Sequence, residues 1–264
     1  MKKILALTIA LLMLLLCVTA CGEKTDIEDE KGGAFKVEEE LIYENFYYNT
    51  NDDGTYEITG IRLITNKLVD IEIPAEIDGR EVTGIAADAF KAINTIQSVE
   101  IPEGIIYIGD YAFYGCTALE SVELPKSLET IGKGAFEGCS ALDELEIADG
   151  SALKTVGNYA FKDCTSLEFF SFSGAIGEVG DCAFMNCDAM TTVSLQANVK
   201  KLGAAAFAGC DNLDEFFVAN GELEIGDAAF FTGAAKVTVT GKADSTAAAY
   251  AAKNTNYITF VVAE

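Results

Sequence analysis

The residue types that carry out chemistry are unevenly supplied in this 264-residue chain: eight cysteines, 42 aspartates and glutamates, and no histidine. Without histidine there is no Ser-His-Asp or Cys-His nucleophile, no commonest general base and no histidine-bearing metal site. Neither a Gly-x-x-x-x-Gly-Lys phosphate loop nor a Gly-x-Gly-x-x-Gly fingerprint occurs. Forty-two acids can always furnish a carboxylate pair for glycoside hydrolysis, but no pair stands out from the solvated background. Asn51-Asp52-Asp53-Gly54 has the composition of a calcium loop without the spaced ligands and distant glutamate of an EF-hand. A turn between two strands accounts for it better. These features disfavour an enzyme, assign no cofactor and point to binding.

The cysteines sort by position. Cys116, Cys139, Cys164, Cys187 and Cys210 each follow a phenylalanine by three residues. A zinc site needs ligands converging in a compact cluster, whereas these stand in a line, so the expectation is a small apolar residue at a tight inner corner. Cys182 stands outside the line and, in an exported protein, could pair with Cys187. Cys17 and Cys21 belong to a leader: Met1-Lys2-Lys3 is the positive start, residues 4–16 are apolar, and Val18-Thr19-Ala20 are small residues approaching Cys21. That is a secretory signal over residues 1–20, too short in its apolar run for a spanning helix of about 20 residues.

The elements that place these side chains come from a repeat. Ala-Phe pairs end at Phe90, Phe113, Phe136, Phe161, Phe184, Phe207 and Phe230, spaced 23, 23, 25, 23, 23 and 23 residues apart. A fixed period of this length means one unit stacked many times, a solenoid in which each coil buries its apolar side on its neighbours. Before each pair stands an apolar residue with glycine, as in Ile108-Gly109 and Leu202-Gly203, with Ile85-Ala86 the degenerate first member. After it comes an alternating run such as Leu119-Glu120-Ser121-Val122-Glu123-Leu124-Pro125, the period-two pattern of a half-buried strand. Each coil is expected to have one strand and two tight corners. The one longer step falls around Ala148-Asp149-Gly150-Ser151, expected as a bulging loop where preceding coils have Pro74, Pro102 or Pro125.

The seven in-register repeats resemble the BspA-type leucine-rich repeat family of bacterial surface proteins, whose repeat reads roughly Ile-Gly-x-x-Ala-Phe-x-x-Cys-x-x-Leu-x-x-Val-x-Leu-Pro. The resemblance implies an α+β repeat solenoid, a right-handed coil with a parallel strand ladder over residues 68–241. Residues 51–60 look like the opening hairpin of an N-terminal cap spanning 41–67. Residues 244–250 and 257–262 look like the helix and strand of a C-terminal cap spanning 242–264. Val18-Thr19-Ala20-Cys21 looks like a bacterial lipobox, which implies lipidation at Cys21 and anchoring on the extracytoplasmic face or cell surface by two acyl chains. Residues 21–40, charged and poor in apolar side chains, are expected to form a disordered tether. After loss of residues 1–20, 16 basic residues face 42 acidic ones, a net charge near −26. Nucleic acid is a poor partner for that, and the membrane contact is through the lipid alone.

Function is then expected on the outward side of the strands. At the central outward position the coils present Glu72, Glu100, Glu123, Glu146, Ser171, Ser194, Phe217 and Thr238. One position earlier on that face stand Asp70, Ser98, Ser121, Glu144, Phe169, Thr192, Glu215 and Lys236. Stacked acids repel, so the N-terminal coils favour something basic there, and a weak calcium contact stays open. Phe169 and Phe217 place rings where a soluble strand places polar groups. The family resemblance implies adhesion to an extracellular or host protein; the alternative is an envelope solute- or glycan-binding lipoprotein.

Overall fold

The computed structural model describes residues 46–63, 66–147, 150–172, 175–230 and 236–263. The signal segment, Cys21 and the expected tether lie outside the described residues. The described chain is a parallel β-solenoid within one compact unit, residues 42–264.

Each coil has three hydrogen-bonded walls rather than one strand and two corners. The first is the long strand, seen in Ile96–Glu100, Ser121–Leu124, Glu144–Ile147, Thr192–Leu195 and Glu215–Val218. The second is a two-residue strand at the apolar-Gly motif, from Tyr107–Ile108 through Thr130–Ile131 to Glu224–Ile225, pairing in parallel along the whole stack. The third is the Ala-Phe arc. There the N–H groups of Asp88, Phe90 and Ala92 donate to the carbonyls of Asp110, Ala112 and Tyr114 at 2.7–3.0 Å, and later coils repeat the pattern. Residues two before and two after the phenylalanine are left-handed, as at Tyr111 (φ 58), Tyr159 (φ 61), Asp163 (φ 61) and Asn186 (φ 62). That alternation turns every second N–H group toward the same neighbouring coil, while Ala89 and Lys91 donate within their own coil, and it satisfies a backbone that forms no regular strand.

Two side-chain columns hold the walls together. Phe90, Phe113, Phe136, Phe161, Phe184 and Phe207 stack with centroids 4.9–5.3 Å apart and planes within 12° of parallel. All are fully buried. The cysteines stand beside them, buried as expected. Each donates its thiol to the carbonyl of the phenylalanine one coil before, as from Cys139 Sγ to Phe113 O at 3.2 Å. Burial pushes the Cys116 thiol up to about 11 and that of Cys210 up to about 12, so these thiols stay protonated. Cys182 and Cys187 are both free thiols, so the possible pairing is not formed.

The glycines of the second wall have a steric cause. A Cβ at Gly132, Gly157, Gly180 or Gly203 would meet backbone atoms of the preceding coil at 2.3–2.8 Å. No side chain fits where two coils approach that closely.

At the N-terminal end, Phe46–Thr50 pairs antiparallel with Tyr56–Ile61. The connection at Asn51–Asp52–Asp53–Gly54 is the expected turn: Gly54 N–H donates to Asn51 O at 3.0 Å, and the Asp53 carboxylate accepts from Thr55. Tyr56–Ile61 then runs parallel to Arg80–Ile85, which starts the short ladder. At the other end the helix Thr246–Lys253 is N-capped by Ser245, whose side chain accepts from Ala248 N–H. Its Tyr250 meets Phe230 edge-on at 5.6 Å and accepts from Ala229 N–H at 3.0 Å, closing the aromatic column. The strand Ile258–Val262 follows, parallel to Val237–Gly241.

One detail departs from expectation. The long ladder is not continuous: Val69–Glu72, Ile96–Glu100, Ser121–Leu124 and Glu144–Ile147 form one sheet, and Thr192–Leu195 to Ile258–Val262 another. Residues 167–172 between them are irregular. That coil turns Phe170 and Phe172 inward where its neighbours use aliphatic pairs, and their rings interlock with Phe161, Phe184 and Phe207. At the longer step, Gly150 is left-handed (φ 79) and Ser151 is buried, its hydroxyl accepting from Leu153 N–H, while Ala148 and Asp149 lie outside the described residues.

Candidate binding face

The outward side chains of the long strands form two columns. Strand pairing aligns Asp70, Ser98, Ser121 and Glu144 in one, and Glu72, Glu100, Glu123 and Glu146 in the other. All four glutamates of the second column are exposed, and among the described residues no ion pair reaches them. Two carboxylates about 5 Å apart repel by roughly 0.8 kcal/mol even at the dielectric of water. Position in the first column is fixed by Ser98, whose hydroxyl donates to Asp70 at 2.6 Å. No group of three or more acids or cysteines converges to hold a metal ion among the described residues.

In the C-terminal sheet the columns are Thr192, Glu215, Thr238 and Thr259, and Ser194, Phe217, Thr240 and Val261. Thr238 therefore lies beside Glu215 and not beside Phe217, and Lys236 precedes the strand. The 23-residue period applied to Phe217 lands on Thr240. The alternation of Val237 and Val239, both buried, masked that register, because the second inward place is taken by Gly241. Thr240 and Val261, the latter 44% exposed, are the residues that sequence reasoning missed in this column.

Between the two sheets lies the irregular coil, with Phe169 64% exposed and Ser171 half-buried. Phe217 is 38% exposed. Thr192, Ser194 and Glu215 are exposed as expected. The structure thus brings all the strand-face residues onto one wall, acidic in the first four coils and polar with apolar rings beyond. On the opposite arc, Lys133 lies 5.5 and 5.9 Å from the ring centroids of Tyr111 and Tyr159, and Lys91 lies 5.5 Å from Tyr111.

The sequence profile described as BspA type leucine rich repeat region matches in six copies, over residues 65–151, 83–214 and 146–258. A T. pallidum leucine-rich repeat protein of known structure is 24% identical, over 83% of this chain and 98% of that one, with a TM-score of 0.49. A leucine rich cell surface protein from Faecalibacterium prausnitzii is 20% identical over 86% of this chain, with a TM-score of 0.51. A leucine-rich repeat protein from Eubacterium ventriosum is 22% identical over 70% of this chain, also with a TM-score of 0.51. The chain spans about half the length of the last two, 56% and 49%. No curated protein matches it in sequence. No helix among the described residues is long and apolar enough to cross a membrane.

Proposed function

The chain belongs to the BspA-type leucine-rich repeat family, and from that premise we propose that it is a lipid-anchored surface protein that binds another protein through its long-strand wall. The observation that carries this reading is the change along that wall. Four unpaired glutamates in register give way, at the coil where the ladder breaks, to Phe169 standing exposed. Acids steer a basic partner toward the wall, and the ring anchors it once water is displaced. Cys21 is the lipidated residue in this reading, and the partner is an extracellular or host protein.

The test uses the 42–264 unit, which contains every described element. Binding to a panel of purified surface and matrix proteins is measured for wild type, Phe169→Ser and the pair Glu100→Lys with Glu123→Lys. The proposal expects both variants to lose binding, with the charge variant also losing the salt dependence of association. A partner that binds all three equally sinks the assignment of the wall. Anchoring is tested separately on the full chain: Cys21→Ala should release the protein from the membrane fraction and abolish labelling by a fatty-acid analogue.

A further inference from the structure

The two caps leave the ladders in different states. At the N-terminal end the hairpin adds strands to the short ladder. At the C-terminal end the helix packs against the last strands of both ladders, Thr246 donating to Leu223 O at 2.6 Å, and Ile258–Val262 extends the long one. The outer edges of the long ladder are unpaired among the described residues. Among the described residues Val69–Glu72 and Ile258–Val262 each pair on one side only.

These open edges differ in character. Natural edges are usually blunted by charges or proline. Val69–Glu72 follows that rule with Asp70 and Glu72. Ile258–Val262 has neither, and it exposes Val261 (44%) and Val262 (54%). Hydrogen bonding alternates along a parallel strand. Val237 N–H donates to Tyr257 O and Ala263 N–H to Gly241 O, so the odd-numbered residues face the solenoid. The N–H and C=O groups of Phe260 and Val262 therefore point away from it. By the same alternation, Val69 and Ile73 donate inward, leaving the backbone groups of Asp70 and Glu72 on the open side.

The ends are also oppositely charged. Residues 236–263 contain Lys236, Lys242 and Lys253 against Asp244 alone, a net +2. Residues 46–81 contain eight acids and three bases, a net −5. A positive, apolar, unpaired edge at one end and a negative, unpaired edge at the other, both running in the same strand direction, fit one another and not themselves.

We propose that copies of this chain stack head to tail, the Ile258–Val262 edge of one pairing in parallel with the Val69–Glu72 edge of the next. Translation along the stack continues both outward columns, with Val261 beside Glu72 and Thr259 beside Asp70. Such a contact is heterologous and does not close on itself, so the assembly lengthens with concentration and multiplies the strand wall. This assembly stands whatever the wall binds.

The experiment is sedimentation equilibrium on the 42–264 unit at increasing concentration. Wild type should gain mass progressively past the dimer, and raised salt should reverse the gain. Val262→Pro removes a donor from the outer side of the tail without touching the bond to the neighbouring strand. Glu72→Pro does the same at the head. Each variant alone should stay monomeric, whereas an equimolar mixture should form dimers and nothing larger. Lys242→Glu with Lys253→Glu, which leaves the backbone intact, should weaken association at low salt, so a misfolded proline variant does not end the test. A monomeric wild type, a Glu72→Pro variant that still dimerises alone, or a folded mixture that fails to pair would each overturn the proposal.

Discussion

Gly203→Ala, set against Gly177→Ala, isolates the close approach of coils that the second wall requires. A Cβ at Gly203 would lie 2.3 Å from Gly180 C, 2.4 Å from Asp181 N and 2.5 Å from Gly180 O, all backbone atoms. Ordinary contact begins at 3.4 Å, so the coils must part by about 1 Å there. That displacement takes the 2.8 Å bond from Gly203 N–H to Val179 O out of range. Overpacking costs about 1–3 kcal/mol and the lost bond about 1 kcal/mol. The stiffer unfolded chain returns about 0.4–1 kcal/mol. The net is a loss of about 1–4 kcal/mol, or about 2–14 °C in Tm at roughly 2–4 °C per kcal/mol for a domain of this size. At Gly177 a Cβ meets nothing within 4 Å and the backbone is not left-handed. Only the unfolded-state term remains there, so this alanine should raise stability by about 0.4–1 kcal/mol. Urea unfolding followed by far-ultraviolet circular dichroism reads both, with an unchanged m-value as the control. If Gly203→Ala is neutral, or if the two alanines shift the midpoint in the same direction, close coil packing is not what selects these glycines.

Phe136, stacked on Phe113 at 5.1 Å and Phe161 at 5.3 Å, should cost about 3–5 kcal/mol on replacement by alanine, measured by the same unfolding curves, and distinctly less by leucine. In the native protein a thiol reagent at neutral pH should modify Cys182, which is partly exposed, well before the five buried column cysteines, as peptide mass mapping would show. Alkaline pH should loosen both caps. Burial, reinforced by the bond to Glu57, pushes Tyr107 up to about 12, and burial pushes Tyr250 to about 12 as well, against about 10 for a free tyrosine. A raised folded-state value means that stability is complete below about pH 10 and is lost as pH rises through about 12. Tyr107→Phe and Tyr250→Phe should each remove part of that loss in a tyrosinate absorbance titration run alongside circular dichroism.

Much of the fold was legible because a repeat states the same packing rule many times. The Ala-Phe period, the cysteine beside each phenylalanine and the alternation after it required a stacked core, a buried thiol line and an outward strand wall. All three are present, the wall with Thr240 and not the expected Thr238 beside Phe217. The Asn51–Gly54 turn was legible because its polar residues serve their own backbone. The arc ladder was not, since left-handed positions are filled by tyrosine, aspartate, cysteine and alanine as well as glycine, and no residue type signals them. The long-strand break was not legible either, because Phe170 and Phe172 keep the inward alternation of a regular strand.

Period and composition alone determined that this chain stacks coils, buries its phenylalanines and leaves a mostly acidic surface, because those follow from which residues recur and how often. Which residues share a column, as Phe217 does with Thr240 and Val261, was decided only by the tertiary structure. So was the fact that, among the described residues, both outer edges of the long ladder are left unpaired. Register and edge pairing depend on where whole coils come to rest against one another, a sum of many weak contacts across the stack that no single coil's sequence contains.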